Sequence, residues 1–136
     1  MGQSDKNTCS SLILGEDNAG NMRSLLDCYK NIIVCGNRGV GKITKTVKAV
    51  EDKKRVYYIG NPVDHEGRSR PGSFEKYVEY VMSLKKDLVL IEDPVLLIDN
   101  EEDIIVVIDE IYGRSKGEHD AISILLDKKN IKIAQI

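Results

Sequence analysis

Residues 31–44, NIIVCGNRGVGKIT, restrict this chain more than any other stretch. Ile32, Ile33, Val34 and Cys35 form an uninterrupted apolar run rich in β-branched residues, short and bounded at once by glycine, which is the pattern of a parallel strand buried on both faces. The strand is expected to stop at Gly36. Gly36, Gly39 and Gly41 then permit positive φ angles, so that successive N–H groups converge on one concave spot. Lys42 falls where a helix should begin, and the unpaired N–H groups and dipole of a helix N-terminus favour an anion there. The expected fold class is therefore α/β: a three-layer sandwich with a mostly parallel central sheet.

The spacing of Gly36, Gly41 and Lys42 fits GxxxxGK, the Walker A or P-loop pattern, whose amides cradle phosphates and whose lysine reaches the β- and γ-phosphates. On that reading Gly36, Asn37, Arg38, Gly39, Val40, Gly41, Lys42, Ile43 and Thr44 make up the nucleotide-binding stretch. Position 43 departs from the pattern. A Ser or Thr is expected after the lysine because its hydroxyl ligates the nucleotide's magnesium ion, and Ile43 has no oxygen to give. Thr44 carries a hydroxyl one residue later, turned about 100° around the helix, where it reaches a phosphate more readily than the ligand's place. Ile43 also has a packing explanation, because on a helix over 42–51 it joins Val47 and Val50 on the inward face, with Lys45 and Lys48 outward.

The chain has 136 residues, the size of one domain, read as 1–136. With 31% charged residues, 41% apolar residues and a formal net charge of -2, nothing in the composition advertises nucleic acid. Cys9, Cys28 and Cys35 are odd in number and lack CxxC spacing, which argues against a disulfide framework or a zinc site and for a reducing cytoplasm; Cys35 reads as a small core residue. The first ten residues carry no apolar leader and are expected to be disordered, and no apolar run approaches the roughly 20 residues that cross a bilayer. MGQSDK resembles a myristoylation signal only superficially, since position 6 is lysine.

Along the chain, Leu12, Ile13 and Leu14 read as a short strand or an apolar plug. A helix follows from Asn18 or Asn21 to Lys30, with Met22, Leu25, Leu26 and Tyr29 at helical spacing. Beyond the glycine stretch, 55–60 (RVYYIG) is a strand and 61–72 a loop carrying a lone His65 and the cations Arg68 and Arg70. Ser73 caps a helix over 74–86, whose buried stripe is Phe74, Tyr77, Val78, Val81, Met82 and Leu84. Residues 87–100 hold two apolar runs split by Glu92, Asp93 and Pro94. They fit two strands or an extended connection with one, and the proline bars a central strand at that point. Glu101, Glu102 and Asp103 make an acidic turn.

Residues 104–110, IIVVIDE, have the composition of a buried parallel strand ending in two acids. Ligands of open α/β sheets gather at the carboxyl ends of strands, where Gly36 and Asp109 are both expected. Asp109 is then placed to hold the magnesium shell as a Walker B aspartate does, and Glu110 to orient or deprotonate the attacking water. Asp99, at the end of VLLID, is the reserve for the same role. A loop over 111–118 with Arg114 and Lys116 precedes a helix over 120–128, on which Ile122, Leu125 and Leu126 face inward. The closing strand, 131–136, brings Gln135 toward the same rim, where it could sense the γ-phosphate or water; an inter-strand amide is the alternative.

Together, Gly36 to Lys42, Asp109 with Glu110, and Gln135 resemble the P-loop ATPases that insert an extra strand between the two Walker motifs and use a catalytic glutamate. The strand-end glutamine of IAQI is similar to that of DNA-pumping and packaging ATPases, and the string IDEI to AAA+ proteins. The resemblance implies the P-loop NTPase fold with strand order 5-1-4-3-2, and ATP with Mg2+ as cofactors. It also implies Lys42, Glu110 and Gln135 as catalytic groups, a metal-holding Asp109, and mechanical work in a ring-forming homo-oligomer, with Arg114 as a guess for the arginine shared between subunits. The sheet of such a core usually continues beyond a strand like 131–136, which suggests a truncated or minimal domain. The competing expectation is a non-hydrolysing nucleotide-binding switch or assembly module, favoured by Ile43. Nucleic acid as a partner rests only on Arg68, Arg70, Arg114 and Lys116.

Overall fold

A computed structural model describes residues 11–13, 19–35, 41–61, 74–109 and 114–136. Among them, β1 (Ser11–Ile13), α1 (Ala19–Cys28), β2 (Asn31–Cys35), α2 (Lys42–Ala49), β3 (Val56–Ile59), α3 (Phe74–Ser83), β4 (Val89–Leu90), β5 (Ile104–Ile108), α4 (Lys116–Leu126) and β6 (Ile131–Gln135) follow in chain order. The strands form one sheet in the order β1-β2-β6-β5-β3-β4, and every pairing in it is parallel.

Successive side chains of a strand point to opposite faces, and the strands here use both faces for packing. Val56 and Tyr58 of β3, Val107 of β5, and Ile32 and Val34 of β2 join Met22 and Leu26 of α1, Ile43 and Val47 of α2 and Val81 of α3 in one core. Ile59, Ile104, Val106, Ile108, Ile131 and Ile133 point the other way and pack with Ile122 and Leu125 of α4 and with Leu97. Helices therefore cover both faces, and the chain is an α/β sandwich around a parallel sheet.

Several boundaries differ from those expected, each for a local reason. Helix α3 stops at Ser83 instead of running to 86, because Lys85 turns inward and its ammonium donates to the carbonyls of Lys53 at 2.6 Å and Glu51 at 3.3 Å and to Asp87 at 2.5 Å. Of the two apolar runs in 87–100, the first gives the two-residue β4, and the second is a 3-10 turn over Pro94–Leu97 opened by Asp93, whose side chain accepts from Val95 N. Helix α4 starts at Lys116, four residues early, because Ser115 and Glu118 form a reciprocal capping box.

Candidate functional site at the carboxyl rim of the sheet

The register aligns the two halves of the expected site. Ile33 of β2 pairs with Gln135 of β6, Gln135 with Ile108 of β5, and Ile108 with Ile59 of β3. All strands run the same way across this row, so the end of β2, which feeds the glycine stretch, and Asp109, one residue past the row, emerge on the same rim. Their strands are not neighbours: β6 lies between them, a separation of about 10 Å at two strand spacings.

Gly41 stands at the N-cap of α2 with φ 75° and ψ 37°. This is the left-handed conformation that costs a residue with a Cβ about 1–2 kcal/mol and glycine far less. Its carbonyl accepts from Lys45 N at 2.9 Å and so begins the helix. Lys42 is the first residue of α2. Ile43 is buried in the core shared with Val107 and Tyr58, so the position where the pattern asks for a hydroxyl serves packing. Thr44 points away from that core, with Oγ1 2.8 Å from the hydroxyl of Tyr80 on α3. Gly36, Asn37, Arg38, Gly39 and Val40 lie outside the described residues, as do Glu110, His65, Arg68 and Arg70.

Asp109 is 3% exposed. An ionised carboxylate taken out of water needs donors, and two phenols supply them: Tyr58 from β3 and Tyr77 from α3 donate to Oδ2 at 2.8 and 2.7 Å. Its amide donates to Ile59 O at 2.9 Å, prolonging the β5–β3 pairing past the strand end. The ring of Tyr58 reaches Asp109 past Gly60, where a Cβ would stand 3.1 Å from Phe74 Cζ and 3.2 to 3.3 Å from Tyr58 Cε2 and Oη. Glycine there keeps the route to the carboxylate open.

Arg114 has a different role from the one guessed for it. Its side chain is 1% exposed. Nη2 donates to the carbonyls of Asp109 at 2.5 Å, Ile59 at 3.0 Å and Gly60 at 3.2 Å, while Nη1 meets Glu118 at 2.9 Å. A guanidinium spent on three carbonyls at the ends of β3 and β5 is a staple of the rim and is not on offer to a neighbouring subunit. Burial pushes the Glu118 carboxyl up, but hydrogen bonds from Arg114 and Ser115 outweigh it and hold it below its ordinary 4.5.

Gln135 Nε2 donates to Asn31 Oδ1 of β2 at 3.0 Å, the inter-strand amide pairing weighed as the alternative to a sensing role. Asp99 is exposed on the turn after the 3-10 segment and ends no strand. Lys116 is exposed and paired with Asp120 at 3.1 Å. Among the described residues, no group of three or more His, Cys, Asp or Glu could hold a metal ion, and no helix is long and apolar enough to cross a membrane. Sequence reading missed the two tyrosines on Asp109; the alternation of RVYYIG puts Tyr58 on the same face as Val56, but nothing local tells where its hydroxyl ends. The chain matches no protein-family model, no curated protein and no solved structure.

Proposed function

We propose that this chain is a cytoplasmic P-loop domain that binds ATP with magnesium and hydrolyses it. The observation that carries the reading is the juxtaposition at the carboxyl rim: the strand feeding a GxxxxGK stretch and the strand ending in a buried aspartate run parallel with one strand between them. With the two-residue edge strand β4 left aside, counting β2, β3, β5 and β6 as the first to fourth strands gives the order 1-4-3-2, in keeping with the group that inserts a strand between its two motifs. β1 takes the place beside β2 that the resemblance gives to a later strand.

In this reading the amides of 36–42 and the Lys42 ammonium hold the phosphates, and Asp109 holds the water shell of the magnesium ion. The donor set fits such a mode, because Mg2+ keeps several waters and is commonly bound through one or two carboxylates plus the phosphates. When bound, the ion would neutralise charge on the phosphate oxygens. Glu110 accepts a proton from the water that attacks the γ-phosphorus, and the bond from that phosphorus to the bridging oxygen breaks, giving ADP and inorganic phosphate. Gln135, which donates to Asn31, stands at the edge of this scheme and orients water only if that pairing opens. Assembly into a ring would need an arginine other than Arg114.

The burial of Ile43 favours a second reading, a nucleotide-binding switch or assembly module without turnover. Phosphate release with ATP and magnesium separates the two. Hydrolysis predicts turnover that Glu110→Gln reduces by at least about a hundredfold; no turnover, or turnover indifferent to the substitution, leaves the binding module.

A further inference from the structure

Helix α3 carries two tyrosines three positions apart, and both hydroxyls reach the candidate site. Tyr77 donates to Asp109 Oδ2 at 2.7 Å, and Tyr80 lies 2.8 Å from Thr44 Oγ1. Residues at i and i+3 share a helix face, so a single helix meets both the strand-end carboxylate and the helix that follows the glycine stretch. From the sheet, Tyr58 brings a second phenol to the same Oδ2 at 2.8 Å.

The crowding of both donors on one oxygen is the informative feature. A carboxylate oxygen has two lone pairs, so two phenols occupy Oδ2 and fix a carboxyl plane that otherwise turns within a broad torsional well. Oδ1 receives no hydrogen bond from the described residues. A carboxylate kept only to brace the fold would be expected to engage both oxygens. We propose that Tyr58 and Tyr77 are positioning residues that hold Asp109 with Oδ1 as the atom offered to the water shell of a divalent cation. This inference rests on the nucleotide reading above.

The test is the magnesium concentration needed for half-maximal binding of labelled ATP, measured for the full chain and for Tyr77→Phe and Tyr58→Phe, with thermal melts showing which variants are folded. Loss of either phenol is expected to raise that concentration about tenfold while leaving ATP binding without magnesium unchanged. Tyr57→Phe, on the opposite face of β3 from Tyr58, leaves the requirement where it was. In an Asp109→Asn background the tyrosine substitutions have no further effect on it. An unaltered magnesium requirement in a folded Tyr77→Phe or Tyr58→Phe overturns the proposal, as does an equal loss of affinity with and without magnesium, which marks general damage to the rim. Failure of the parent chain itself to bind ATP with magnesium removes the nucleotide reading, and this inference with it.

Discussion

Lys30 and Lys132 each cap the helix that leads into the other's strand. Lys30, just before β2, donates through Nζ to the carbonyls of Leu125 and Leu126 at the end of α4. Lys132, on β6, donates to those of Leu26 and Asp27 at the end of α1. The last carbonyls of a helix lack intrahelical partners and carry the negative end of its dipole, so an ammonium is suited to both. Because β2 and β6 are paired while α1 and α4 pack in different cores, the two lysines fasten both helix layers to one strand pair.

Removing either ammonium should therefore loosen a helix end and not only a surface charge. Lys30→Met and Lys132→Met are each expected to lower stability by about 1 kcal/mol, a fall of a few degrees in Tm for a domain of this size. Thermal melts check this, and a Tm unmoved by both substitutions would show these contacts to be incidental.

At Gly60 a methyl group meets Phe74 and the ring and hydroxyl of Tyr58 at 3.1 to 3.3 Å. Gly60→Ala is expected to cost about 1–3 kcal/mol by overpacking. The cost should shrink in a Phe74→Leu background, which removes the nearest atom. A double-mutant cycle by denaturant unfolding measures the coupling, and additive costs would contradict the contact as its cause.

Ile43 combines the two readings of its position. Ile43→Thr puts a hydroxyl into the core beside Val107 and Tyr58, so stability is expected to fall by about 1–2 kcal/mol. If the position is also the vacant ligand slot of the Walker A pattern, the same substitution strengthens magnesium-dependent ATP binding. Denaturant melts and ATP titrations on one preparation report both effects, and unchanged affinity would show that the ligand slot lies elsewhere.

The Arg114–Glu118 pair gives a signed pH dependence. Glu118 is held below its ordinary 4.5 in the fold, so its stabilising effect is complete above that value and is lost as the pH falls through the lower, folded value. The Tm gap between the parent and Glu118→Gln is expected to be widest at pH 6 and to close toward pH 3. A gap that stays constant over that range would contradict the ionised pairing.

How much of this was legible in the sequence follows from the range of the forces involved. Uninterrupted apolar runs rich in β-branched residues at 32–35 and 104–108 and the helical stripe of Ile43, Val47 and Val50 are local patterns, and they predicted two buried strands and the inward face of α2. The start of α4 was equally local, since Ser115 and Glu118 already have capping-box spacing, but the apolar stripe from Ile122 onward drew attention past it. Lys85, Arg114 and Tyr77 were not legible. Each has partners more than 30 residues away in the chain, and charged or amphipathic side chains look the same in sequence whether they end in water or on a buried carbonyl. The rim itself was read from motifs, and a strand between its two halves only from the order that the resemblance implies; the apolar run of 131–136 by itself gives no order.

The central claim is that the rim over β2, β6 and β5 receives a nucleoside triphosphate with its metal, and direct titration of labelled ATP and GTP with and without magnesium tests it. The account predicts saturable ATP binding strengthened by magnesium, a preference for ATP since no NKxD string for guanine is present, and a loss of at least about tenfold in affinity in Lys42→Ala. Binding of neither nucleotide, or binding indifferent to both magnesium and Lys42, would contradict it.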